Sequence, residues 1–168
     1  GQLYLVYRVI GLPASVIGNS LSEVLLQKIA SNKVDGKNTA SYRLIIKSTV
    51  IMFAISIIPC VILFMFGEVL FELVFGEGWA SAGRIAAVLS IGLAFEFSVS
   101  PLSKLMFVVN KNKMYLVWEI FRAVIIFIPL FGMKAFYELA AIEYVWMITV
   151  STVISYLVLL FISKRRYR

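Results

Sequence analysis

The sequence predicts an all-α, polytopic membrane protein with five transmembrane helices. Three observations predict it. Of the 168 residues, 61% are hydrophobic and only 15% charged, against about 45–50% and about 25% in soluble domains. The apolar residues gather into five runs, each near the ~20 residues a helix needs to cross the hydrocarbon core. The connections between runs alternate in charge, which is the mark of a chain threaded back and forth through a membrane.

The first span, about 3–26, carries a polar stripe. Tyr4, Arg8, Gly11, Ser15, Gly18 or Asn19, and Ser22 recur at steps of three and four. In lipid, helices associate through small residues and buried polar contacts, so this stripe is a packing face. Pro13 within it frees a backbone carbonyl and predicts a kink. Arg8 lies about two turns from the outer end. It either anchors the helix by snorkelling or serves as a cavity cation.

The second span, about 44–66, contains Pro59, a second expected kink, with Ser56 as an internal hydrogen-bonding partner. The stretch GEVLFELVFGEGW that follows is too short and too acidic to span. Glu68 and Glu72 fall on one face at i, i+4. Residues 67–75 therefore read as a separate interfacial helix ended by Gly76 and Gly78, or as an ordinary external loop. Trp79 suits the headgroup belt.

The third span, about 80–109, aligns Gly92, Glu96, Ser100 and Ser103, with Lys104 on the same half and Pro101 nearby. Glu96 sits near mid-span, where a carboxylate costs about 2.5–3.5 kcal/mol even on gentle insertion scales. It must be protonated, paired or turned to water. Protonation would make it a proton-coupling site; the alternative is a static pair with Lys104 or Arg122.

The fourth span, about 115–133, places Glu119 about 6 Å and Arg122 about 10 Å along the helix from Tyr115. Spaced i, i+3, the two suit a pair with each other. With Lys104 at similar depth, they equally suit a basic cluster for phosphates. The fifth span, about 145–162, offers Thr149, Thr152, Ser155 and Tyr156 as packing contacts.

Orientation follows from the connections. Lys28, Lys33, Lys37, Arg43 and Lys47, then Lys111 and Lys113, then Lys164, Arg165, Arg166 and Arg168 all fall on one side. The other side carries Glu68, Glu72, Glu77, Glu138 and Glu143 with Lys134 and Arg84. Counting cations puts the N-terminus outside and the C-terminus in the cytoplasm. A net charge of +7 would suggest nucleic acid in a soluble protein; here it orients the chain, and no nucleic-acid partner is expected. Histidine is absent, Asp35 is the only aspartate and Cys60 the only cysteine. His-based triads and His-ligated metal sites are thereby excluded, and no cofactor is expected. The chain begins with Gly1 and shows no signal-peptide pattern, which reads as part of a longer membrane protein.

The stretch LYLVYRVIGLPASVIGNSLSEVLLQKIAS resembles the second-lobe segment of polysaccharide flippases, members of the multidrug/oligosaccharidyl-lipid/polysaccharide superfamily. LFELVFGEGWASAGRIAAVLSIG is similar to that family's passage into its next span, and the resemblance extends along the whole chain. One departure is KAFYELAAIEYVWMITV, where members often show a Gly-rich turn before the last span. The resemblance implies an incomplete second lobe of a two-lobe transporter, completed by an N-terminal lobe of the same protein. It implies flipping of a lipid-linked oligosaccharide across a bacterial or archaeal cell (inner) membrane, with no catalytic residues. Arg8, Lys104 and Arg122 are then candidate substrate contacts, and Glu96 and Glu119 are an ion-coupling or structural pair. Three rivals remain: a multidrug/cation antiporter of the same superfamily, an integral-membrane polysaccharide polymerase or glycosyltransferase, and a purely structural membrane subunit. The second lacks the large external loops and acid–base residues that its chemistry needs.

Overall fold

Hydrocarbon offers no partner to backbone N–H and C=O groups, so a spanning segment must satisfy them within itself, as a helix does. The computed structural model describes residues 1–34, 38–108, 112–136 and 140–166, with side chains for 1–32, 43–99, 102, 113–132 and 140–162. Its regular structure is helical throughout: α1 (Gln2–Val6), a π-helical turn (Tyr7–Gly11), α2 (Leu12–Val34), α3 (Asn38–Phe75), α4 (Ala80–Val108), α5 (Asn112–Phe136) and α6 (Ala141–Arg166). Five stretches are long and apolar enough to cross a membrane: Gln2–Asn32, Arg43–Phe75, Ala80–Val99, Lys113–Gly132 and Ala141–Ile162. This is a multi-pass helical membrane protein.

α1, the π turn and α2 run on as one rod. The break expected at Pro13 takes the form of the wide turn just before it. Pro13 has no N–H to donate, and its ring crowds the carbonyl of Val9 four residues back. A turn with i→i+5 bonds relieves that crowding without ending the helix.

α3 differs from expectation. Residues 67–75 are not a separate interfacial helix; α3 continues unbroken through them for 38 residues, about 57 Å, well beyond the ~30 Å of hydrocarbon. Gly67 was the only breaker at that junction, and it is buried against α4. The helix ends where glycines permit a left-handed backbone, at Gly76 (φ +94) and Gly78 (φ +98). The Gly76 N–H closes the last turn on the Glu72 carbonyl at 2.8 Å. Phe71, Phe75 and Trp79 then form a ladder of rings, 5.4 and 5.8 Å apart, that carries the chain into α4. Glu68 reaches Arg84 across the same turn at 3.7 Å. Both are more than half exposed, so the pair adds at most about 1 kcal/mol.

α4 is the central helix. In its spanning segment 61% of the residues are buried, against 6% in that of α5. α3 packs along it most extensively, followed by α6 and α2. At Gly67 and Gly83 the two helices meet backbone to backbone. Two apolar cores lie along α4. One gathers Val6, Phe71, Ala82, Ile85, Ala86 and Val145. The other gathers Ile29, Ile45, Val99, Trp118, Tyr156 and Leu159. Between them runs a band of buried hydroxyls. Ser56 and Ser98 meet at 3.4 Å across α3 and α4, and Thr149 donates to the Val88 carbonyl at 3.4 Å across α6 and α4. Such bonds average about 0.6 kcal/mol in membrane proteins, so they fix register more than they add stability. Outward, Ile58, Leu73, Val117 and Ile128 are each more than 60% exposed, which lipid tolerates and water does not.

Candidate functional site

α5 presents one polar face in an otherwise apolar helix. Tyr115, Trp118, Glu119 and Arg122 stand at i, i+3, i+4 and i+7, the spacing of a single helical face. Leu116, Val117, Ile120 and Val124 cover the opposite side and are exposed. The polar face turns toward α4 and α6, and four contacts build the site on it.

Arg122 Nη2 lies 3.7 Å from Glu96 Oε1 on α4. The guanidinium carbon sits 5.0 Å from the Tyr156 ring centre and 5.8 Å from that of Trp118. Guanidinium planes stack well on aromatic faces, so the rings hold Arg122 in place independently of Glu96. The rings are themselves fixed: both are about 3% exposed, and the Trp118 indole N–H donates to the Ser155 carbonyl at 3.0 Å. The fourth contact is local to α5. The Tyr115 hydroxyl donates to Glu119 Oε1 at 2.7 Å.

The pair lies deep. Glu96 is about 24 Å along α4 from its start, and Arg122 about 15 Å along α5. The Arg122 and Glu96 side chains are nonetheless 23% and 36% exposed. Glu96 alone of the two lines a cavity. It is an open cleft of about 70 Å³ of mixed character, lined also by Tyr7, Gly11, Ser15 and Asn19 of the first rod and by Phe97, with Tyr7, Ser15 and Asn19 exposed. A cavity of that size has room for several waters. Ala14, Leu93 and Phe97 form a seam, and on its other flank lies an apolar cavity of about 370 Å³ reaching Pro13, Pro59 and Cys60. Gly18 is what lets the seam close, because a Cβ there would meet the Phe97 ring at 3.2 Å.

The structure brings some expected residues together and not others. Glu96 and Arg122 meet. Glu119 and Arg122 do not form the in-helix pair that their spacing allows; each has another partner. Arg8 stands apart. It is exposed, with the Tyr4 hydroxyl 3.5 Å from Nη1, and it lines neither cavity. The π turn explains this. Val6 and Gly11, the buried residues of that stretch, stand five apart, the step of the π turn, in place of the three or four of an α-helix. The stripe drawn at constant helical pitch through Arg8 is therefore out of phase. The Lys104, Ser100 and Ser103 side chains lie outside the described residues. Trp118 and Tyr115 were not foreseen as site residues, although their spacing to Arg122 was a readable signal.

No family model matches this chain, and no curated protein or solved structure matches it either.

Proposed function

We propose that the chain is part of a membrane transporter that flips a lipid-linked oligosaccharide by alternating access, as the resemblance to polysaccharide flippases implies. The observation that supports this reading is the Glu96–Arg122 pair, set well within two helices long and apolar enough to span a membrane, with Glu96 bordering a cleft that also holds Tyr7, Ser15 and Asn19. Charged groups at that depth are costly and mark transit paths. Arg122 offers a planar fork of donors suited to phosphate oxygens, and the cargo's diphosphate would meet it while the sugars occupy the aqueous cavity. In this reading the N-terminus is outside and the C-terminus cytoplasmic. Lys104 adds positive charge along the path, Arg8, which stands apart from both cavities, adds it toward the outer end, Glu96 couples an ion or holds the pair, and a first lobe of the same protein completes the cavity. The membrane is a bacterial or archaeal cell (inner) membrane. The π turn before Pro13, and the ladder bonds missing at Pro59 and Pro129, give the helices places to bend as lobes rock.

The test is translocation of lipid-linked oligosaccharide by the full-length protein in vesicles, with and without ion gradients. Changing Arg8, Lys104 and Arg122 together to Gln is expected to abolish transport. Unchanged transport at normal protein levels would remove the phosphate role. A second reading, cation antiport, is favoured by one observation. Glu96, Glu119 and Arg122 together sum to −1, which suits a cationic cargo. Efflux of a cationic dye that is lost in Glu96→Gln, with no movement of lipid-linked sugar, would establish it.

A further inference from the structure

We infer that Glu96 is a built-in competitor for the cargo's anion: its carboxylate occupies the face of Arg122 that the anion takes and withdraws into the neighbouring open cleft, toward Ser15 and Asn19, when the anion arrives. The inference rests on the flippase reading above. Three features of the site argue for it. The Glu96–Arg122 contact is long, 3.7 Å, and both side chains keep exposed surface, so the pair is loosely held. Arg122 does not depend on Glu96 for its position, because Tyr156 and Trp118 flank the guanidinium at 5.0 and 5.8 Å. A departing carboxylate has somewhere to go, because Glu96 already borders the cavity of about 70 Å³ lined by Tyr7, Ser15 and Asn19. Glu119 is a poor substitute competitor, being engaged by the Tyr115 hydroxyl at 2.7 Å.

The consequence has a definite sign. A residue that helps bind cargo weakens binding when removed, whereas a competitor strengthens it. The measurement is equilibrium binding of farnesyl diphosphate, an anionic lipid without sugar, to the full-length protein in lipid nanodiscs. Glu96→Gln is expected to bind roughly fivefold tighter than wild type. Glu96→Asp, which keeps the charge but shortens its reach, is expected to fall between them. In an Arg122→Gln background, Glu96→Gln is expected to bring no gain. If wild type binds and both Glu96 variants bind equally or more weakly, the competitor role is overturned while the lipid-diphosphate cargo stands. A gain that persists without Arg122 also overturns it. If neither wild type nor any variant binds, the flippase reading falls and this inference with it.

Discussion

Replacing Gly83 with alanine tests whether α3 and α4 really cross backbone to backbone. A Cβ at Gly83 would fall on the Gly67 carbonyl oxygen, with the Gly67 carbonyl carbon and the Glu68 Cα at 2.5 Å. A Cβ at Gly67 would meet the Gly83 carbonyl oxygen at 2.8 Å. These are main-chain atoms, so no side chain can rotate out of the way, and the helices must move apart by roughly 1 Å. A gap of that size forfeits up to about half the dispersion energy of each affected contact, and overpacking of this kind costs about 1–3 kcal/mol. Better helix propensity returns about 1 kcal/mol, leaving a net loss of about 0–2 kcal/mol. Gly92 is the internal control. A Cβ there meets Thr149 Cγ2 at 3.6 Å, an ordinary contact, so Gly92→Ala keeps the propensity gain of about 1 kcal/mol. The assay is reversible denaturation in mixed micelles followed by tryptophan fluorescence, Trp79 lying close to the crossing. Gly83→Ala as stable as Gly92→Ala, or the more stable of the two, would refute the crossing.

Two further predictions follow. Trp118→Phe keeps an aromatic face for Arg122 but removes the indole N–H bond to Ser155 on α6, so stability should fall by about 1 kcal/mol in the same assay, with the loss confined to α5–α6 protection in hydrogen exchange. For orientation, single cysteines at Glu72 or Glu77 in a Cys60→Ala background should react with a membrane-impermeant maleimide on intact cells. Cysteines at Lys47 or Lys113 should react only after permeabilisation, and the reverse pattern would overturn the charge-based assignment.

The helices were legible because helix formation in lipid is a local matter. Each backbone group finds its partner within one turn, so five apolar runs mark where spans run and the glycines at 76 and 78 mark a helix end, although that end belongs to α3 and not to a separate helix over 67–75. The buried hydroxyls of α6 were legible for a similar reason. Thr149, Thr152 and Ser155 repeat at helical spacing and are nearly inaccessible in the fold, at 2, 8 and 0%. The sequence also required that Glu96 be neutralised, paired or wet.

Which of these Glu96 would meet was decided by tertiary structure. Its approach to Arg122 depends on how α4 and α5 are rotated and offset against each other, and no periodicity within either helix encodes that. The Gly67–Gly83 crossing is likewise a property of two helices at once; neither glycine alone names the backbone it packs against. Arg8 shows the limit from the other direction. A stripe drawn at 3.6 residues per turn carries through only if the pitch holds, and Pro13 makes the chain take one wider turn. Sequence thus determined what each helix is and what its polar groups need, while packing determined which helix supplies it.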